Sequence, residues 1–371
     1  MQEVRISKEV IPLLVPSRSV AKETEFQRVT RGMNDGDTVR EKSGNNAILA
    51  LGAAQRISGH RQKAKKSRMY APRRAYIINS LKHPDEVLRL RRIYPLGFYL
   101  IGVCSDEKRR MAYLREERGM KRPEAVNLMH RDKEEADPWG QHVERTFHLS
   151  DFFVRLGTDS DRYKYSLWRF LDILFGHPYK TPTFDEYAMF LAFVSSLRSA
   201  DLSRQVGAVI ARDDEILATG ANDCPKAGGG LYWPQYSDET KNIDDVPYGR
   251  DYTRGKDSNK AEQQKIINQI LDAASEEGID RTKLYEVLGN SRIGDLTEFG
   301  RMVHAEMEAL LACARNGISS RHGTVYSTTF PCHNCAKHII AAGIERVVYV
   351  QPYGKSKAEE FHKDSISLGF S

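Results

Sequence analysis

His304-Ala305-Glu306 opens a helical stretch, apolar at Val303, Met307, Leu310 and Leu311, and one strand's length later comes Pro331-Cys332-His333-Asn334-Cys335. Imidazole and two thiolates are borderline-soft donors suited to zinc, and three protein ligands leave the fourth tetrahedral position open, as a catalytic site requires. His304, Cys332 and Cys335 are the expected ligands. Zinc lowers the pKa of a bound water from about 15.7 to roughly 7, and Glu306 is the candidate general acid and base beside it. Cys332 and Cys335 stand three apart, so both sulfurs of a helix starting near Pro331 face one point, at the end where the helix dipole favours negative charge. His304 and Glu306, two apart, would lie on nearly opposite sides of a regular helix. They therefore belong at a helix start, with the metal over its end and Gly317 as the C-terminal cap.

A structural zinc site would be closed by a fourth Cys or His. His333 lies between the cysteines, where it points away from the metal, and His338 reads as a helix-flank residue. An open site follows, and the pairing of H-x-E with P-C-x-x-C is the pattern of zinc deaminases.

The chain has 371 residues, enough for about two domains with a large core. No run of 18 apolar residues and no signal pattern occurs, so no membrane partner and a cytoplasmic location are expected. Cys104, Cys224 and Cys313 read as reduced, buried or half-buried thiols. Residues 1–180 carry 35 Lys and Arg against 23 Asp and Glu, whereas residues 181–371 carry 21 against 27. Two domains are expected, 1–178 and 179–371, with the border at Gly176-His177-Pro178.

In the second half, Thr183-Phe184-Asp185-Glu186 is a capping box opening an apolar helix. Val206 to Ala211, the turn Asp213-Asp214 and Ile216 to Thr219 read as a buried hairpin. Thr324 to Thr328 and Arg346 to Val350 read as strands around the cysteine helix. This alternation implies a three-layer α/β/α sandwich. Residues Asp223 to Asn259 form a long polar loop, read either as a flexible cover whose Arg250, Arg254 and Lys256 supply positive charge to substrate phosphates or as a solvated loop. Helices are expected over Lys260–Glu276 and Arg281–Leu288.

Gln205-Val206-Gly207-Ala208-Val209, Gly220-Ala221-Asn222, His304-Ala305-Glu306, Thr329-Phe330-Pro331-Cys332-His333-Asn334-Cys335 and Pro352-Tyr353-Gly354-Lys355-Ser356 together resemble the deoxycytidylate deaminase family over about the last 190 residues. The resemblance implies a cytidine deaminase-like domain, with zinc the one cofactor. It further implies that Asn222 helps hold the nucleotide and that Tyr353 lies near its base or sugar, as substrate-binding residues.

In the first half, Tyr76 to Leu81 and Phe98 to Val103 read as buried parallel strands joined by a helix over Pro84–Tyr94, a βαβ unit. An arginine-rich helix follows from Asp106 to Arg118. With Asn79-Ser80-Leu81-Lys82-His83-Pro84-Asp85-Glu86, this order resembles the P-loop kinase-like α/β domain fused ahead of the deaminase in bacterial antiphage dCTP/dCMP deaminases. The phosphate loop G-x-x-x-x-G-K-[S/T] occurs nowhere in the sequence, so the domain is read as incomplete. Met1 to Pro12 reads as material that follows such a loop: either the chain begins downstream of the family's usual start, or this member has lost nucleotide binding there. Residues 56–74 hold eight Lys or Arg and no acid, a solvated loop or a contact for RNA or a regulatory nucleotide.

The leading expectation is hydrolytic deamination of free deoxycytidine nucleotides, dCTP or dCMP, by a homo-oligomer, with an antiphage role implied by the resemblance. One alternative is a cytosine or adenine deaminase acting on RNA or DNA, disfavoured by the acidic second half. The other is an RNA- or nucleotide-sensing regulator.

Overall fold

The computed structural model describes residues 1–15, 23–66, 74–133, 137–157, 160–289, 291–353 and 355–368. The chain falls into two compact units, Met1–Lys180 and Thr181–Ser371. No helix among the described residues is long and apolar enough to cross a membrane.

In the first unit, β1 (Gln2–Arg5) pairs parallel with β2 (Tyr76–Asn79), and β3 (Ile101–Ser105) pairs parallel with β4 (Phe152–Leu156). Helices α1 (Glu25–Ser43), α2 (Ile48–Lys66), α3 (Pro84–Ile93) and α4 (Glu107–Ala112) accompany them. The expected βαβ unit is altered. Among the described residues β2 and β3, which flank α3, pair with β1 and β4 rather than with each other. Nor are these strands fully buried: Ile77 is 48% exposed and Val103 56%. Periodicity detects a strand but not its neighbour, and here each neighbour comes from far along the chain. Val4, Val10, Val39, Leu49 and Ile57 form the main apolar cluster. Of the basic stretch 56–74, expected as a loop, residues 56–66 are instead the end of α2, residues 67–73 lie outside the described residues, and Arg56 pairs with Glu9 at 3.2 Å.

The second unit is built on one sheet. Strands β5 (Gly207–Arg212) and β6 (Glu215–Ala221) form a hairpin, closed by Asp213 and Asp214, both at positive φ as a tight two-residue turn requires. With β9 (Thr324–Thr329) and β10 (Arg346–Gln351) the order is β10-β9-β5-β6, β9 lying parallel to β10 and antiparallel to β5. A small separate hairpin, β7 (Gln235–Ser237) with β8 (Asn242–Asp244), sits in the connection after β6.

Alternation along β5 explains the layers. Ala208 and Ile210 pack against Ala305 and Ala309 of α8 (Ala305–Arg315), while Val209 and Ala211 pack against Ala188 and Ala192 of α5 (Phe184–Ser196). Helix α9 (His333–Ala341) joins α8 through Cys335 and Ile339. The result is the α/β/α sandwich that the pattern implies. Thr183 caps α5 as expected: its hydroxyl accepts from the Glu186 N–H, and the Glu186 carboxylate accepts from the Thr183 N–H.

Two glycines set the layer spacing. A Cβ on Gly207 would stand 1.9 Å from the Ala192 carbonyl oxygen, and one on Gly220 would stand 2.2 Å from that of Ala305. The hairpin thus lies against backbone on both faces, an approach only glycine permits.

Candidate active site

The site assembles where two helices begin. His304 is the N-cap residue of α8 and Cys332 that of α9. Capping places each side chain beside unpaired backbone N–H groups, and the Cys332 sulfur accepts from the Cys335 N–H at 3.4 Å. His304 Nδ1 lies 3.3 Å from Cys332 Sγ and 3.3 Å from Cys335 Sγ. With N and S donors bonding zinc at about 2.0–2.3 Å, such spacing brackets one ion. Among the described residues these three form the one group of His, Cys, Asp and Glu able to hold a metal. His338, whose Nδ1 lies 2.6 Å from the Asn334 carbonyl oxygen, is not part of that group.

The ligand group shares its protons unevenly. The Cys332 thiol is pulled down to about 4, first by a hydrogen bond from Cys335 and then by His304, while the same contact, with burial, pushes the Cys335 thiol well above its ordinary range. Glu306 is 4% exposed, and burial pushes its carboxyl above the usual range. Its Oε2 lies 3.4 Å from Cys335 Sγ. A carboxyl held so close to the metal position, and made readier to take a proton, suits proton transfer rather than ligation.

A cavity of 550 Å³ opens over these groups, lined by His304, Glu306 and Cys332 together with Asn222, Tyr353 and Phe330. Asn222 is brought to the site, yet its amide is engaged: Nδ2 donates to Asp201 Oδ2 (3.0 Å) and to the Arg204 carbonyl (2.7 Å), while Oδ1 accepts from the Val206 N–H (2.6 Å). It braces the turn entering β5. The Arg204 guanidinium lies 5.5 Å from the centre of the Tyr353 ring. Gly354 falls outside the described residues.

Arg250 and Arg254, expected at the substrate phosphates, are engaged by protein groups of their own segment. Arg250 is 5% exposed, pairs with Asp223 at 3.3 Å and Asp245 at 3.2 Å, and donates to the Tyr232 carbonyl at 2.6 Å. Arg254 donates to the Tyr248 carbonyl at 2.7 Å. A buried carboxylate such as Asp223 recruits the nearest guanidinium, because an unpaired charge there is costly. None of Arg250, Arg254 and Lys256 lines the cavity. The segment still reaches the cavity, through Asp251, Asp257 and Asn259, the last at the start of α6 (Ser258–Glu276), and Arg292, Leu296 and Thr297, which follow α7 (Arg281–Gly289), complete that wall. Asn259 and Gln263 fix that wall by donating to the Leu296 carbonyl at 2.6 and 2.7 Å.

His333 also lines the cavity, edge-on to Phe361 with ring centres 5.8 Å apart. Its place between two ligands was the available signal, though spacing alone points it away. Of the other thiols, Cys224 and Cys313 are buried as expected, whereas Cys104 is exposed at the end of β3.

Residues 182–351 match the family model described as the cytidine and deoxycytidylate deaminase zinc-binding region. The deoxycytidylate deaminase of Enterobacteria phage T4 is 32% identical over 169 residues, which is 45% of this chain and 77% of that protein. The Saccharomyces cerevisiae deoxycytidylate deaminase is 26% identical over 181 residues, 47% of this chain and 40% of that one. Among solved structures, the dCMP deaminase of cyanophage S-TIM5 in complex with dCMP and dUMP is 20% identical, covering 50% of this chain and 93% of that one with a TM-score of 0.29. The His-Cys-Cys group and the sequence matched across three quarters of the phage enzyme agree, and the chain belongs to the deoxycytidylate deaminase family of zinc hydrolases.

Proposed function

We propose that this protein deaminates free deoxycytidine nucleotides, converting dCMP or dCTP with water to dUMP or dUTP and ammonia. The observation that carries the reading is the buried Glu306 carboxyl beside a three-ligand metal group at the base of a nucleotide-sized cavity. When bound by His304, Cys332 and Cys335, zinc keeps one position for water and lowers that water's pKa towards 7. Glu306 would take one proton from the water and give it to the ring nitrogen next to the reacting carbon, then take the second from the hydroxyl formed on that carbon and give it to the amine, which leaves as ammonia. Its raised affinity for a proton matches this relay. Asn222 positions the nucleotide and holds the turn at Asp201 to Val206, and Tyr353 flanks the base or sugar.

The remaining parts of the proposal rest on the resemblance in the first half. Residues 1–178 are an incomplete P-loop kinase-like domain and 179–371 the deaminase domain of a cytoplasmic homo-oligomer that depletes dCTP in antiphage defence. The test is to incubate the zinc-loaded protein with dCMP, dCTP, CTP and single-stranded DNA and to quantify uracil products beside Glu306→Ala. Uracil from free deoxynucleotides, lost in the variant, is expected. Product from DNA alone would overturn the substrate, and RNA binding that persists in Glu306→Ala without any turnover would favour a sensor.

A further inference from the structure

Helix α5 is apolar on both of its sides. Ala188 and Ala192 are buried against the sheet, while Tyr187, Phe190, Phe193, Val194 and Leu197 are between 43% and 69% exposed. A helix lying on a sheet ordinarily turns polar residues outward, and one that is hydrophobic all round belongs in an interior. The two charges of α5, Asp185 and Glu186, stand in its first turn and are committed there. Asp185 accepts from Tyr326 and Arg346, and Glu186 accepts from the Thr183 N–H. None of the five outward positions carries a charge.

The spacing of those positions says what would cover them. Tyr187, Phe190, Val194 and Leu197 follow one another at intervals of three, four and three residues. This is the a and d spacing of a coiled-coil seam, with Phe193 beside it at g and the sheet-facing Ala192 at f, on the far side. Such a seam fits another helix carrying the same pattern, and a two-fold axis presents that helix from an identical chain.

The apolar surface extends past the end of α5. Arg198 lays its guanidinium 3.8 Å from the centre of the Trp233 ring and donates to the Tyr232 carbonyl at 3.2 Å. Beyond Trp233, Tyr236 and Ile243 stand directly opposite each other in the β7–β8 hairpin, 62% and 69% exposed. A two-stranded hairpin is marginal by itself, and an apolar pair on its open face gains from cover. At about 200 Å² per aromatic side chain, Tyr187, Phe190, Phe193, Trp233 and Tyr236 expose about 550 Å² in all. Two chains would hide about 1100 Å² from these rings alone, and Val194, Leu197 and Ile243 bring the total into the range of specific interfaces, about 1200–2000 Å².

We infer that the outer face of α5, continued by the hairpin around Trp233, Tyr236 and Ile243, is a two-fold contact with a second copy of this chain, α5 packing against α5. The metal group is built on α8 and α9, in the other helical layer, so pairing through α5 keeps each site within one copy. The inference names the contact face of the homo-oligomer proposed above and does not depend on the reaction.

The test is sedimentation equilibrium on the full zinc-loaded chain at micromolar concentrations. The mass of two copies, or of an even multiple, is expected. Phe190→Glu/Leu197→Glu places carboxylates in the seam at positions that the fold itself leaves exposed, and should weaken pairing by about a hundredfold or more. The mass should fall to half while zinc content stays the same. A short bismaleimide should also link Phe190→Cys to its counterpart, well beyond the background that exposed Cys104 gives in the unaltered chain. A single-copy mass for the unaltered chain, an unaltered mass in the double variant, or linkage no greater than background would each overturn the contact. Uracil production separates the two readings: a chain that pairs in this way and deaminates nothing would sink the reaction alone, and one that deaminates as a single copy would sink the contact alone.

Discussion

Glu306 sits where a carboxyl is costly to ionise, and its neighbours are the three groups that would hold the metal. Glu306→Gln keeps the shape and removes the proton relay, so kcat on deoxycytidine nucleotides should fall by roughly 10²–10⁴. Metal analysis should show zinc content unchanged. Cys335→Ala should instead lose zinc, because two ligands do not make a site. These residues were legible in the sequence because ligand chemistry and spacing are local properties. Arg250 was not: a basic residue in a polar segment looks available for phosphate until the buried Asp223 and Asp245 are seen beside it. Asn222 is intermediate. Its place at the site was readable, while its commitment to Asp201, Arg204 and Val206 depends on a turn that only the fold creates.

Among the elements, the hairpin of β5 and β6 decides how closely the two helical layers approach. Gly220→Ala would press a methyl against the backbone of α8. A cost of about 3 kcal/mol or more is expected, because backbone cannot step aside as a side chain can. The urea midpoint should drop, and zinc content with it, since α8 begins at His304. Gly207→Ala should destabilise comparably through α5, but with less effect on zinc. Capping boxes, alternation and tight turns made α5, β5, β6, β9 and β10 legible, since each carries its own local signal. The wall formed by Asn259, Leu296 and Thr297 carried none. Its position depends on hydrogen bonds between Leu296 and side chains more than thirty residues away, and the pairing of β2 with β1 spans a still longer separation.

At the scale of the whole molecule, the two units should respond differently to acid. His83 in the first unit is held down to about 4, chiefly by burial, and its Nδ1 accepts from the Asp85 N–H at the start of α3. The unfolded chain takes that proton near pH 6.5, so stability is lost as the pH falls from about 6.5 towards 4, by at most about 3 kcal/mol. In the second unit the hydrogen bond from Arg346 holds the Asp185 carboxyl below its ordinary value, which lies near 3.9. Its contribution is present above that value and disappears as the pH falls through the lower, folded-state one. Hydrogen exchange at pH 5 should therefore show α3 loosening while α5 stays protected. His83→Gln should flatten the difference, and an α5 that opens first would contradict this ordering.

Asp223 and Val303 donate to each other's carbonyls at 3.2 and 3.0 Å, and Arg301 pairs with Asp251 at 2.7 Å just inside that junction. The whole excursion between them therefore leaves the sheet and returns to it through one doorway. Because the cost of closing a loop grows only with the logarithm of its length, segments could be added or removed beyond this doorway without altering the sheet. A protease nick in the exposed turn Glu277–Asp280 should accordingly give two fragments that stay together with their zinc, and the same turn is a natural place for the new ends of a circular permutant.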